Sequence, residues 1–303
     1  MIKISGFTDE VSLNLDKQLL ILKELGESYM CPRSIDGTSI AEIGYDKFVR
    51  DIKPRLDNAN VKFSSIGSPI GKVKLADEEG YQKQLDKLSE LVKIAKEMDC
   101  KYIRVFSFFV DSLGDYDKYF PIVVEKMKGF LKVVEGTDVI LLHENEKHIY
   151  GDTPERVLQL YNAINNPQFA LCYDASNYIQ CNCDPLEAYN KVKDYTVYYH
   201  MKDCIEGVEV PLGIGDGKIQ EVVNDLVQNA YDGFLTLEPH TLKYALTKRL
   251  VYLLPLKKFA TFRKVYELID IKCGVKKMEK VTRKQVYLWQ YNNLKAILNK
   301  AGV

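Results

Sequence analysis

Long apolar runs are missing from this 303-residue chain. None approaches the ~20 residues that a membrane-spanning helix needs, which argues against a helical membrane protein. An excess of charge of one sign is missing too. Forty-two Lys and Arg balance 42 Asp and Glu, so nothing points to a nucleic-acid or acidic-membrane surface. Disulfide chemistry has little support. The seven cysteines (Cys31, Cys100, Cys172, Cys181, Cys183, Cys204 and Cys273) are odd in number and sit in no secretory framework. Cys181-Asn-Cys183 lacks the two-residue spacer and the second pair of a zinc ribbon. They read as reduced thiols in a cytosolic protein, and Met1-Ile-Lys-Ile-Ser5 does not read as a signal peptide. The first strand ends in Gly6-Phe-Thr-Asp-Glu10, which is not the glycine fingerprint of a dinucleotide-binding fold.

What is present is alternation. Short β-branched or aromatic runs at 2–7, 27–31, 61–66, 101–107, 138–143, 169–173, 196–201 and 233–237 read as strands. Helical patterns fall between them at 13–25, 45–58, 77–98, 116–134, 153–165, 184–192 and 218–229. No hairpin signals interrupt the series. Eight successive βα units imply parallel strands, and eight close naturally into a barrel. The expected fold is therefore α/β, a (β/α)8 TIM barrel in one domain over 1–303. Its core covers about 1–240, and an extended helical C-terminal segment covers 241–303. That segment is basic and apolar over 241–262 and holds the single tryptophan, Trp289, in a helix over 281–298. Two or three helices are expected there, finishing the barrel wall and covering one end or meeting a second subunit. A homodimer suits the fold.

In a parallel barrel the catalytic groups stand at the C-terminal ends of strands. Four consecutive strands end in potential metal ligands: Glu144 in His143-Glu-Asn145, Asp174 in Cys172-Tyr-Asp174, His200 in Tyr198-Tyr-His200, and Glu238 in Leu235-Thr-Leu-Glu238. Three carboxylates and an imidazole suit one hard or borderline divalent ion, Mn, Mg, Co or Zn. Without a cation they are a costly cluster of like charges. Gly151-Asp-Thr-Pro-Glu155 opens the next helix, with Thr153 as N-cap and Pro154 in the first position.

These motifs, with Pro211-Leu-Gly-Ile-Gly-Asp-Gly217, His200-Met-Lys-Asp203, Gly233-Phe-Leu-Thr-Leu-Glu-Pro-His240, Ile103-Arg-Val-Phe-Ser107 and Ser68-Pro-Ile-Gly71, resemble the sugar phosphate isomerase/epimerase group of xylose-isomerase-like TIM barrels, within the AP endonuclease family 2 superfamily. The resemblance covers roughly residues 1–240. It implies a divalent-metal site of Glu144, Asp174, His200 and Glu238, with the two glutamates as acid/base pair in the epimerase branch. Three positions depart from the pattern. Cys31 stands where members often carry Glu, Asn177 where tagatose-type epimerases carry His, and Glu206 where they carry Arg.

The chemistry expected is isomerisation or epimerisation of a small-molecule sugar or sugar derivative. A metal-stabilised enediolate would form between Glu144 and Glu238, on opposite sides of the substrate. Lys202 and His240, each two residues beyond a ligand, are substrate-binding candidates, as are Asn177 and Phe7. Salt bridging to Asp203 is the alternative for Lys202, and packing behind the sheet is the expectation for His143. Arg104 is expected to pair with a carboxylate. The loop 213–217 is read as a mobile lid, since Gly-x-Gly-x-Gly alone is a weak phosphate signal. The competing reading is a metal-dependent lyase acting on a cyclic polyol ketone or a 3-keto-glycoside, for which Lys202 also fits. A DNA abasic-site nuclease is disfavoured. It needs three zinc ions and more than the four histidines present.

Overall fold

The computed structural model describes residues 1–110, 115–254 and 256–303. The strands that build its main sheet are β1 (Lys3–Gly6), β4 (Ile66–Ile70), β5 (Tyr102–Val105), β6 (Ile140–Glu144), β7 (Phe169–Asp174), β8 (Thr196–Met201) and β11 (Phe234–Leu237). Their spatial order is β1-β11-β8-β7-β6-β5-β4, and every ladder is parallel. Two short strands, β2 (Tyr29–Met30) and β3 (Lys62–Phe63), pair in parallel beside β1. Cys31 N–H donates to Gly6 O at 3.0 Å and Ser64 N–H to Met30 O at 2.9 Å. The curled sheet is thus TIM-barrel-like, as the βα series predicts. The third strand is broken between β3 and β4 at Ser64-Ser65, where a continuous run to Ile66 was expected.

The outer helices follow from their end signals. α1 (Leu15–Leu25) starts at Asn14, whose side chain accepts from Lys17 N–H, and stops at Gly26 with φ 71°. The second helix is irregular. Gly44 interrupts it, a π-turn runs over Phe48–Ile52, and α2 (Lys53–Asn58) follows. Pro54 has no N–H to donate, which accounts for the widened turn before it. Then come α3 (Glu78–Glu97), α4 (Tyr116–Val134), α5 (Pro154–Ile164), α6 (Ala175–Gln180), α7 (Pro185–Val192) and α8 (Ile219–Gln228). α5 begins as read from sequence, with Thr153 accepting from Arg156 N–H.

Two hairpins overturn the expectation of none. Ser34–Ile35 pairs antiparallel with Thr38–Ser39 around Asp36-Gly37. β9 (Asp203–Ile205) pairs antiparallel with β10 (Val208–Val210) around Glu206-Gly207. In both turns the two central residues have positive φ, the mirror-image geometry that an X-Gly pair favours.

The last sixty residues form α9 (Leu242–Leu253), α10 (Ala260–Cys273) and α11 (Arg283–Ala301). α11 takes the place of the eighth outer helix. Its Leu294, Ile297 and Leu298 join the main core. Tyr291 Oη donates to Glu27 of the α1 end at 2.8 Å. Gly6 is required beneath it, because a Cβ there would lie 2.1 Å from Tyr287 Oη. α9 and α10 instead share a second apolar core with β9–β10, built on Val208, Val210, Tyr244, Val251, Tyr266 and Ile269. Because β9 directly follows the C-terminal end of β8, this insert stands on the mouth side of the barrel. Among the described residues no helix is long and apolar enough to cross a membrane.

Candidate metal centre

Register brings the four predicted ligands to one height. Glu144 and Asp174 are the last residues of β6 and β7. His200 lies opposite Asp174 across the β8–β7 ladder. Glu238 follows β11, and its N–H donates to Met201 O at 3.2 Å. One ligand atom from each of Glu144, Asp174, His200 and Glu238 lies within 4.8 Å of the other three, and all four residues are buried.

The carboxylate oxygens divide into two sets. Arg104, on β5, donates through Nη1 to Glu144 Oε2 at 3.0 Å and to Glu238 Oε1 at 3.2 Å. Its Nη2 and Nε donate to Gly67 O and Ser68 O. The remaining oxygens, Glu144 Oε1 and Glu238 Oε2, face His200 Nδ1 at 3.0 and 3.1 Å. Lys202 Nζ sits 2.7 Å from Asp174 Oδ2 and 3.3 Å from Glu238 Oε2. The first of these is a charge contact without hydrogen-bond alignment, so Asp174 Oδ2 is a buried oxygen with no donor. Three inward oxygens and one ring nitrogen, all taken out of water, are the donor set a borderline divalent cation takes. The residues present fit such an ion.

The protein's own cations act unevenly on this cluster. Burial pushes the Asp174 carboxyl up to about 7, opposed by Lys202 and reinforced by Glu144 and Glu238. Glu144 is held down at about 2. Burial alone would raise it, but His200 and Arg104 outweigh that. Burial would likewise raise Glu238, yet Lys202 and His200 hold it well below the usual carboxylate range. Burial would strip the proton from His200, and the facing carboxylates help to override it and push its pKa well up. Asp174 is the group left over when three carboxylates share one dry site.

The neighbouring candidates divide by what they touch. Asn177 Nδ2 donates to Glu144 Oε1 at 3.2 Å and to Asn145 O at 2.8 Å, and its N–H donates to Asp174 Oδ1 at 2.9 Å. Asn145 exchanges two hydrogen bonds with the Asp174 backbone. Both hold ligands in place. Lys202 turns into the site and not toward Asp203. Phe7 is fully buried, with its ring 5.2 Å from the His200 ring and 5.1 Å from the guanidinium carbons of both Arg33 and Arg104. His240 Nε2 lies 3.2 Å from Glu238 Oε1 and 3.4 Å from Arg33 Nη1. Its φ of 49° is unusual for a non-glycine residue. A hydrogen bond from its N–H to Glu10 Oε1 holds that turn. His240 and Arg33 border a cavity of about 490 Å³ that Asp9, Glu10, Leu13 and the first half of α9 also line. His143 is packed behind the site, bonded to Ser107 Oγ at 2.9 Å, and burial pushes its pKa down to about 4. His148 is exposed on the following loop.

Two features went unread in the sequence. Arg33, with Asp9 and Glu10, forms the rim of the mouth, Arg33 Nε bonding Asp9 Oδ2 at 3.0 Å. These residues come from the first two βα loops, which carry no ligand to draw notice. The glycine loop is not a lid. The N–H groups of Gly213, Gly215 and Gly217 all donate to the Asp203 carboxylate at 2.9 to 3.0 Å. A Cβ at Gly215 would lie 2.3 Å from Asp203 Oδ1. The anion this nest cradles is the chain's own.

The model of a family described as "Xylose isomerase-like TIM barrel" matches residues 26–252. No curated protein matches the chain in sequence. Among solved structures, an IolI protein with a bound zinc atom aligns over 99% of each chain at 13% identity, with TM-score 0.71. An L-ribulose 3-epimerase aligns over 99% of this chain and 96% of its own at 13% identity, TM-score 0.68. The probable 3-DHS dehydratase AsbF of petrobactin synthesis from Bacillus anthracis aligns over 82% of this chain and 99% of its own at 16% identity, TM-score 0.59. At these identities the likeness is one of fold.

Proposed function

We propose, on the premise that this chain belongs to the xylose isomerase-like TIM barrel family, that it is a divalent-metal-dependent isomerase or epimerase of a sugar or sugar derivative. The observation that carries this reading is the convergence of Glu144, Asp174, His200 and Glu238 within 4.8 Å. Those four residues would hold the ion. Once bound, a divalent ion supplies a Lewis acid that polarises a substrate carbonyl and acidifies the adjacent C–H.

The chain's own residues supply the rest. Glu144 and Glu238 approach the centre from β6 and β11, with β7 and β8 between them. One takes a proton from the carbon next to the carbonyl. The other returns a proton to the opposite face of that carbon, which is epimerisation, or to the neighbouring carbon, which is isomerisation. Arg104 fixes both carboxylates by their outer oxygens, so each keeps one oxygen for this work. His240 lines the cavity and bonds Glu238, which suits it to bind a substrate hydroxyl. Burial of the four residues excludes bulk water from the reacting carbon, so a solvent hydrogen reaches it only through the carboxyl group that returns the proton.

A second reading, a metal-dependent lyase, is favoured by one feature. The Lys202 ammonium lies at the centre of the site, between Asp174 and Glu238. A buried acid there can protonate a leaving hydroxyl or aglycone oxygen after the same C–H is broken. The two readings separate in one experiment. Metal-loaded protein is incubated in deuterated water with ketoses and cyclic polyol ketones and followed by proton NMR. Deuterium uptake at carbon with the carbon skeleton and hydroxyl count retained supports the first reading. Loss of water or aglycone supports the second. If no divalent ion binds on titration, both fail.

A further inference from the structure

We propose, on the reading of the metal centre as a sugar site, that Asp9, Glu10 and Thr241 form a subsite for the substrate hydroxyls remote from the reacting carbon. The substrate is then an uncharged, hydroxyl-rich ring or chain, and not a phosphorylated one. Three buried oxygens support this. Asp9 and Glu10 are each engaged through one oxygen only. Asp9 Oδ2 accepts from Arg33 Nε at 3.0 Å and from Ser34 Oγ at 3.2 Å. Glu10 Oε1 accepts from the His240 N–H at 3.1 Å and from Arg33 Nη2 at 3.5 Å. Asp9 Oδ1 and Glu10 Oε2 are buried with no hydrogen-bond partner, and so is Thr241 Oγ1. Thr241 is the N-cap of α9, yet its hydroxyl bonds no N–H of the first turn, the usual task of a threonine in that position. His240, just before it, holds the left-handed φ that stores strain at functional sites. Buried polar atoms nearly always have a partner. A carboxylate oxygen can only accept, so what these two lack is a donor.

Placement and charge identify the ligand. Asp9 and Glu10 line the cavity of about 490 Å³, and so do His240 and Leu242 on either side of Thr241. That volume lies within the roughly 300 to 1,000 Å³ of small-molecule sites. Arg33 ties the group to the metal centre. The guanidinium that bonds Asp9 and Glu10 places its Nη1 3.9 Å from Glu238 Oε1. One molecule can therefore meet both. Hydroxyls are the donors a sugar brings, and a hydroxyl on a carboxylate makes one of the stronger hydrogen bonds. An anionic group is the poorer occupant of these oxygens, because the Arg33 guanidinium beside them is already shared between both carboxylates. Lys243 and Arg283 also line the cavity, and a phosphate held by those two is the competing occupant.

Calorimetric titration of the Mn²⁺-loaded chain tests this. The probes are uncharged ketoses, cyclic polyol ketones and 3-keto-glucosides, their singly deoxygenated analogues, and ketose phosphates. An uncharged probe is expected to bind most tightly. Glu10→Gln and Asp9→Asn are each expected to weaken it about tenfold or more, and Thr241→Val about fivefold. Removing one remote hydroxyl from the probe should cost the wild-type chain about tenfold and the Glu10→Gln chain almost nothing, since the same hydrogen bond is lost by either route. Mn²⁺ affinity and the far-UV circular dichroism spectrum should not change in any variant. Tightest binding by a ketose phosphate overturns the subsite and leaves the metal-dependent reading standing. So does wild-type affinity in all three variants, and so does a parallel loss of Mn²⁺ affinity, which marks a structural effect. A metal-loaded chain that binds no probe and exchanges none of their C–H hydrogens overturns the sugar reading and the subsite together.

Discussion

Two buried ionic clusters among the described residues are built to opposite ends. In the C-terminal insert, Asp270 on α10 has one cation and two hydroxyls. Lys248 Nζ is 2.7 Å from Oδ1, Tyr252 Oη donates to Oδ2 at 2.6 Å, and Tyr244 Oη donates to Oδ1. Lys248 also donates to Lys276 O at 2.8 Å. Charge and lone pairs are balanced. At the barrel mouth, three carboxylates crowd together, their pKa values are driven apart, and Asp174 Oδ2 has no donor. A closed cluster holds a structure together. One whose carboxylates are driven to such different pKa values, with a buried oxygen left without a hydrogen bond, is a place for a ligand.

The contrast can be broken most sharply at the mouth. Glu144→Gln and Glu238→Gln should each lower turnover about 10²- to 10⁴-fold, the range for a lost acid or base, with circular dichroism unchanged. Wild-type rates of deuterium exchange in either variant would remove that residue from its role. The insert should answer in stability instead. Asp270→Asn leaves Lys248 buried with a neutral partner and should cost about 3–5 kcal/mol by urea denaturation. Lys248→Met with Asp270→Leu should recover most of that loss, and solvent exchange should be untouched in both.

Metal should act on one cluster only. At a hundredfold excess over Kd, a divalent ion should stabilise the wild-type chain by about 2.7 kcal/mol. That gain should persist in Lys248→Met and vanish in Asp174→Asn, as read by thermal melts before and after chelation. The smallest effect expected is on pH. Asp174 and His200 both have folded pKa values raised above their unfolded ones. Their stabilisation is therefore full below the unfolded values and is lost as pH rises through the folded ones. Chelated protein should lose stability through Asp174 from about pH 4 to about pH 7 and through His200 from about pH 6.5 upward, and saturating metal should flatten that slope. The lowered Glu144 and Glu238 titrate at or below the bottom of this range, and His143, pushed down to about 4, opposes the loss below about pH 6.5, so the net fall is steepest above that. An unchanged slope in Asp174→Asn would show that Asp174 is not its source.

The barrel and the cluster of four side chains at its mouth were legible because both are periodic. Strands recur, and a carboxylate or an imidazole recurs at the ends of four successive ones, so the convergence of Glu144, Asp174, His200 and Glu238 follows from counting. The hairpins at Asp36-Gly37 and Glu206-Gly207 are also written locally, in dipeptides that favour positive φ, but the strands they join are only two or three residues long and carry no periodic signal. Non-local pairing was not legible. Nothing near Lys202 in sequence says that it turns to Asp174 and Glu238 and leaves Asp203 to the glycine loop.

By itself, then, the chain's sequence determined the alternation of elements, the helix caps and the residue types that end four adjacent strands, because those depend on neighbours a few positions away. Tertiary structure alone decided that Arg104 reaches Glu144 and Glu238 by their outer oxygens. It decided that Arg33 and His240 meet at the mouth although 207 positions separate them. It also decided that α11, and not the first helix after β11, completes the outer wall. Each of these depends on how the barrel closes, and closure is a property of the whole chain.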